Sequence, residues 1–146
     1  MCFLCVNLRD LCGEIVNINH EGLKGLLKGH KKLIDNTQKM KRFGQVIGVD
    51  PEQFESYKKY HAAVWPEILA MITACNIHNY SIFHKDNMLY AYFEYDGTDF
   101  AADMAKMAAD PKTQEWWALM MPMQRPVSTR AEGEWWANME EVFHLD

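Results

Sequence analysis

Beyond residue 39 the sequence holds a single cysteine, Cys75; the other three, Cys2, Cys5 and Cys12, lie within the first twelve residues. One thiol cannot build a disulfide framework, which points to a reducing cytoplasm as the working compartment. No run of 18 or more apolar residues is present, so no membrane span is expected. The opening MCFLCVNLRDLCGEIV lacks the charged-then-apolar order of a secretory signal. Basic charge is also short: 15 Lys and Arg face 20 Asp and Glu, a formal net charge of −5 that argues against a nucleic-acid partner. There is no Gly-rich phosphate loop, dinucleotide fingerprint or nucleophile elbow, so no nucleotide cofactor is expected.

What is present divides at residue 40. Residues 1–39 carry six Lys and Arg against four Asp and Glu and none of the five tryptophans; residues 40–146 carry nine against sixteen. The leading CFLC could begin a zinc site, but Cys12 and His20 do not complete a four-ligand spacing, and no metal is expected. GLKGLLKGHKKL has leucines near helical spacing, but its three glycines each cost roughly 1 kcal/mol in a helix. Residues 1–39 are therefore read as a flexible extension, or as upstream sequence ahead of a start at Met40, without chemistry of their own. Residues 40–146, rich in apolar and aromatic side chains, are read as one domain.

The alternation in KRFGQVIGV predicts a first strand, with Phe43, Gln45, Ile47 and Val49 on one face. Asp50-Pro51-Glu52-Gln53 then predicts a helix start, with Asp50 as cap and Pro51 in the first turn. An apolar stripe from Phe54 to Ile72 continues that helix, and Pro66 predicts a kink or break near Ala62 to Trp65. Cys75-Asn76 ends it. His78 to Lys85 and Met88 to Tyr95 read as two strands joined by a tight turn at Asp86-Asn87. The second is apolar on both faces, which calls for cover on both; a second subunit would cover the outer one. Asp99 to Asp110 and the segment from Pro111 read as helices, and Glu140 to Leu145 as a last strand. The order is β-α-β-β-α-β, an α+β fold of ferredoxin-like type.

The chemistry centres on YKKYHAAVWPEI. Spacing of four stacks Tyr57, His61 and Trp65 on one helical face. His61 is either a core histidine bonded to a neighbour or a proton donor and acceptor working near neutrality. Tyr57, one turn earlier, can hold the ring or supply a proton of its own. His78, Asn79 and Tyr80 open the next strand beneath this helix. The pairs Trp116-Trp117 and Trp135-Trp136 are too many for core filling alone, since adjacent side chains diverge. Aromatic faces that stack on sugar rings, beside groups that meet hydroxyls, make a carbohydrate pocket the favoured use.

Four motifs in order, Y-x3-H-x3-WPE from Tyr57 to Glu67, HNYSIF, QEWW and EVFHLD, resemble the L-rhamnose mutarotase family from about Met40 to Asp146. The resemblance implies a ferredoxin-like domain of the dimeric α/β barrel type, joined as a homodimer through its sheet face. It implies an isomerase that exchanges the α and β anomers of a free 6-deoxyhexose by acid–base catalysis, with no cofactor. It places the catalytic pair on His61 and Tyr57, and sugar contacts on Trp116 and Trp117; by their placement, Trp65, His78 and Tyr80 are read as further substrate contacts. The second pair, Trp135-Trp136, departs from the shorter bacterial pattern and keeps L-fucose beside L-rhamnose as substrate. Two other classes remain open: a cofactor-independent monooxygenase on the same type of fold, and a sugar-binding module without catalysis.

Overall fold

The computed structural model describes residues 40–145. The expected extension at 1–39, with Cys2, Cys5, Cys12 and His20, lies outside the described residues. Strand β1 (Lys41–Val49) turns Gln45, Ile47 and Val49 inward, as its alternation requires. The helix expected from Pro51 begins later. Residues 51–53 form a turn, and α1 runs Phe54–Ala62. Asp50 explains the delay: its carboxylate accepts from the Glu52 backbone N–H at 3.0 Å and pairs with Arg125. Its carbonyl takes the Gln53 N–H, also at 3.0 Å. Asp50 thus heads a side-chain turn instead of capping the helix.

The bend expected before Pro66 is a complete break. Residues 63–65 leave the helix, and α2 (Pro66–Ala74) starts afresh with Pro66 in its first turn, where the missing N–H has no helical partner to lose. Asn76, at φ 57, ends α2 in left-handed conformation, and the Lys106 ammonium donates to the Ala74 carbonyl at 2.9 Å. Strands β2 (Ile77–Lys85) and β3 (Met88–Tyr95) form a hairpin through Asp86 and Asn87, at φ 52 and 58. Helix α3 (Phe100–Ala109) is capped by Asp99, whose carboxylate accepts from Ala102 N–H at 3.0 Å. Asp110 does the same for α4 (Pro111–Met120), accepting from Thr113 N–H at 2.7 Å. A 3₁₀ turn at Met121–Met123 leads into β4 (Gln124–Arg125), and β5 is Ala137–Met139.

The strands make one antiparallel sheet in the order β2-β3-β1-β4, with β5 also on β1, beside β4. Its inner face joins the helices in two apolar clusters. One gathers Ile47, Val49, Leu89 and Ala91 with Tyr57, Ile68, Trp116 and Trp136; the other gathers Ile77, Phe93 and Tyr95 with Cys75, Met104 and Met107. Each large side chain fully buried there contributes about 1.5–3 kcal/mol. On the outer face Phe83, Tyr90 and Met139 stay exposed.

The last strand is not where the sequence suggested. EEVFHL forms no strand; β5 lies just before it, and Val142 is 89% exposed. Apolar alternation needs an edge to pair with. The pairing on β1 falls on Gly44, Gln45 and Val46, opposite Met139, Asn138 and Ala137. Beyond it the chain is held by side chains: Arg42 grips Glu141 through two bonds of 2.7 and 3.1 Å.

Candidate active site

Between the inner sheet face and the helices lies a cavity of about 690 Å³, walled by side chains from both clusters. That volume is in the range of small-molecule sites. Helix α1 supplies Tyr57 and His61, α4 supplies Trp116 and Trp117, and β2 supplies His78 and Tyr80. Six of the residues expected at the site are therefore brought together.

The Tyr57 and His61 rings stack with centroids 4.1 Å apart and planes 26° from parallel. The Nδ1 atom of His61 lies 3.0 Å from the Tyr57 carbonyl oxygen. A carbonyl only accepts, so Nδ1 carries the proton and, in the neutral ring, Nε2 carries the lone pair. Burial lowers the imidazole pKa and outweighs the opposing carbonyl bond, so the ring is neutral at physiological pH. Both phenols move the other way. Burial, then the nearby Tyr80, raises Tyr57, against a lowering hydrogen bond from Gln124. Desolvation pushes Tyr80 up to about 12, although part of its ring remains exposed. The site thus holds a neutral base beside phenols that keep their protons, a separation suited to acid–base division of labour.

Tyr80 reaches this face through an irregularity in β2. His78 pairs with Glu94 and Ser81 with Tyr92, so three steps on β2 match two on β3. Asn79, at φ 47, absorbs the extra residue as a bulge, and its side chain bonds Glu94. Without the bulge Tyr80 would follow His78 onto the face of Glu94. With it, Tyr80 packs edge-on to buried Phe93, 5.5 Å between centroids. His78 itself sits at the rim, Nε2 3.0 Å from an Asp96 carboxylate oxygen.

Trp116 is buried and meets His61 edge-on at 5.6 Å, while Trp117 is half-buried. Trp65 is not in the cavity wall. The helix break carries it behind Trp116, edge-on at 5.4 Å, with the Lys112 ammonium 5.8 Å above its ring. The regular helical stack expected of Tyr57, His61 and Trp65 therefore ends at His61.

Sequence reasoning missed a polar floor. Gln45 on β1 and Gln124 on β4 are buried and line the cavity, as do Trp136 and Thr113. Gln45 donates to Asn138 at 2.9 Å, and Gln124 accepts from the Trp135 indole at 2.7 Å. The Thr113 hydroxyl is buried with no hydrogen-bond partner among the described residues. Gln45 was signalled by being the polar member of an apolar strand face. Gln124 and Thr113 carried no such signal. Among the described residues no group of three or more His, Cys, Asp or Glu side chains is gathered to hold a metal, and no helix is long and apolar enough to cross a membrane.

The fold and the cavity define a small α+β protein whose aromatic walls and polar floor suit a small hydroxylated ligand. Its kinship is specific: the chain belongs to the L-rhamnose mutarotase family, whose model matches residues 42–145. It is 35% identical over 115 residues to an L-rhamnose mutarotase of Oceanobacillus iheyensis, covering 73% of this chain and 100% of that one. With the Bacillus subtilis L-rhamnose mutarotase it shares 32% over 109 residues, again 73% of this chain and all of the relative. The crystal structure of an L-rhamnose mutarotase from Formosa agariphila superposes with a TM-score of 0.59 at 22% identity, over 73% of this chain and 99% of that one, a likeness of fold.

Proposed function

We propose that this chain is an isomerase that interconverts the α and β anomers of L-rhamnose by general acid–base catalysis, with His61 and Tyr57 as the catalytic pair. The observation that carries the reading is their stacked, carbonyl-tied geometry in the cavity wall. Neutral Nε2 of His61 accepts the proton of the C1 hydroxyl while the Tyr57 hydroxyl donates to the ring oxygen. The C1–ring oxygen bond breaks and leaves the open aldehyde. Rotation about C1–C2, reclosure and return of both protons give the other anomer. The two proton transfers balance without metal, nucleotide or covalent intermediate. Each positioned group contributes typically 10²–10⁴-fold. Trp116 and Trp117 give the sugar apolar faces to rest on, with Tyr80 and His78 meeting hydroxyls and Trp65 buttressing Trp116 from behind.

The strand order, with the last strands on the free edge of β1, supports a ferredoxin-like arrangement. Exposed Phe83, Tyr90 and Met139 support a homodimer through the outer sheet face, and the buried free thiol of Cys75 suits the cytoplasm.

The test is anomer exchange followed by proton NMR saturation transfer, with L-rhamnose and L-fucose in parallel and His61→Ala beside the wild type. Exchange above the buffer rate, abolished by the substitution, supports the reading and ranks the sugars. Sugar binding without faster exchange would make the protein a binding module. Oxygen uptake with a quinol-like substrate would make it an oxygenase.

A further inference from the structure

We propose that Gln45 is a ligand-binding residue whose side-chain carbonyl oxygen accepts a sugar hydroxyl from the sheet side of the cavity, and that Glu134 sets its direction through Asn138. The identity of the ligand rests on the mutarotase reading. The order of the groups follows from what each can do. A carboxylate only accepts, and Glu134 receives three N–H groups. Its Oε2 takes the backbone N–H groups of Ala131 and Asn138 at 3.0 and 3.4 Å, and its Oε1 takes the Asn138 side-chain amide at 2.6 Å. Asn138 therefore commits its NH₂ end to Glu134 and turns its oxygen to Gln45, which donates to it at 2.9 Å. The Gln45 NH₂ group points toward β5, and its oxygen is left for the other side.

That other side is the cavity. Gln45 stands on the inner face of β1, opposite Asn138 on β5 and Ala91 on β3, and Ala91 brings only a methyl group. The Gln45 oxygen accepts no hydrogen bond among the described residues, yet it is not sealed off as the Thr113 hydroxyl is. The side chain is 6% exposed and lines the cavity, so the opening that reaches the oxygen is the cavity itself. An acceptor left unmade in so buried a place is costly, and a bound hydroxyl removes that cost. Tyr57 and His61 face the cavity from a helix and Gln45 faces it from the sheet. With C1 and the ring oxygen at the helix, Gln45 meets a hydroxyl elsewhere on the ring.

Gln45→Leu keeps the bulk and removes the acceptor. Binding of L-rhamnose and L-fucose is measured by NMR titration, then binding of analogues of the tighter sugar that each lack one ring hydroxyl. The variant is expected to bind the tighter sugar on the order of tenfold more weakly than the wild type. For the one analogue without the hydroxyl that Gln45 meets, the two proteins should bind alike. Equal affinity of the two proteins for both sugars, or a loss that is the same for every analogue, would overturn the proposal. Sugar binding that depends on Gln45 in this way, without faster anomer exchange by the wild type, would sink the mutarotase reading alone. A wild type that binds neither sugar would sink both. Glu134→Gln tests the direction with no sugar present, and serves if Gln45→Leu does not fold. The new amide must keep its oxygen on the two backbone N–H groups, so its NH₂ end faces Asn138 and both amides beyond it turn over. The NMR coupling carried through the hydrogen bond should run from Gln45 Nε2 to the Asn138 side-chain carbonyl carbon in the wild type. In the variant it should run from Asn138 Nδ2 to the Gln45 side-chain carbonyl carbon. The same direction in both proteins, or no such coupling in the wild type, would refute the role given to Glu134 and the placing of the Gln45 oxygen with it.

Discussion

Tyr57 holds His61 in two ways at once: its ring lies 4.1 Å from the imidazole, and its carbonyl oxygen receives the Nδ1 proton at 3.0 Å. The first fixes the plane of the imidazole and the second fixes its tautomer. A histidine so held has one free nitrogen and one orientation, which suits a proton acceptor that must not swing.

The pH dependence follows from burial. His61 has its pKa lowered from 6.5, so the neutral ring that the proposed mechanism needs persists below that value. The kcat/KM profile is expected to be flat above neutrality and to fall on the acid side with a midpoint below 6.5, the value cited for an unperturbed ring. For stability the sign is the same. The unfolded chain takes the proton first, so stability from this group is lost as pH falls from the unfolded pKa through the folded one. A midpoint above 7 in the kcat/KM profile would contradict this assignment.

Thr113 offers a separation of stability from binding. Its hydroxyl is buried without a partner among the described residues, and its backbone N–H is the group held by Asp110. Thr113→Val keeps the shape and the cap, and removes the orphan. Thermal melting is expected to show a gain of about 1 kcal/mol. A loss of stability would mean that the hydroxyl has a partner.

Asn79 is expected to tolerate glycine and reject valine. At φ 47 it occupies the left-handed region, where a β-branched side chain is strained. Asn79→Val should cost roughly 1–2 kcal/mol in chemical denaturation and weaken sugar binding by displacing Tyr80. Asn79→Gly should keep the bulge. Equal stability of the two variants would refute the argument.

Gly97 faces the tightest contact at a loop. A Cβ there would stand 2.3 Å from the Tyr95 hydroxyl oxygen, which donates to Asp103 at 2.8 Å. Asn76 donates to the same carboxylate oxygen at 2.7 Å, so the cluster cannot easily yield. Gly97→Ala is expected to cost about 1–3 kcal/mol as overpacking, measured by denaturant titration, with little effect on KM because Gly97 is outside the cavity wall.

Much of the architecture was legible because periodicity reports burial directly. The alternation of β1, the strand from Met88 to Tyr95, the two helices after it and the break ahead of Pro66 all appear where the residues place them. The delayed start of α1 was not legible, because Asp50 is drawn into a turn by Arg125, a residue 75 positions away. The end of the chain misled for a related reason. EVFHL alternates like a strand, yet the edge that β1 offers is taken by Ala137–Met139. At the site, local spacing found Tyr57 and His61. It could not find Gln124, which is buried in the cavity wall only because β4 pairs with β1.

The bulge at Asn79 makes the identity of the cavity wall a matter of parity. Side chains of a strand alternate between faces, so one extra residue exchanges the set facing inward for the set facing out. The bulge absorbs that exchange: Asn79 is the extra residue, so deleting it would restore plain alternation with Ile77 and Tyr80 both inward, whereas straightening the strand with Asn79 in place would turn Tyr80 out. A deletion of Asn79 and a substitution that flattens the bulge therefore act oppositely on the cavity wall: the first keeps Tyr80 in it, and the second takes it out.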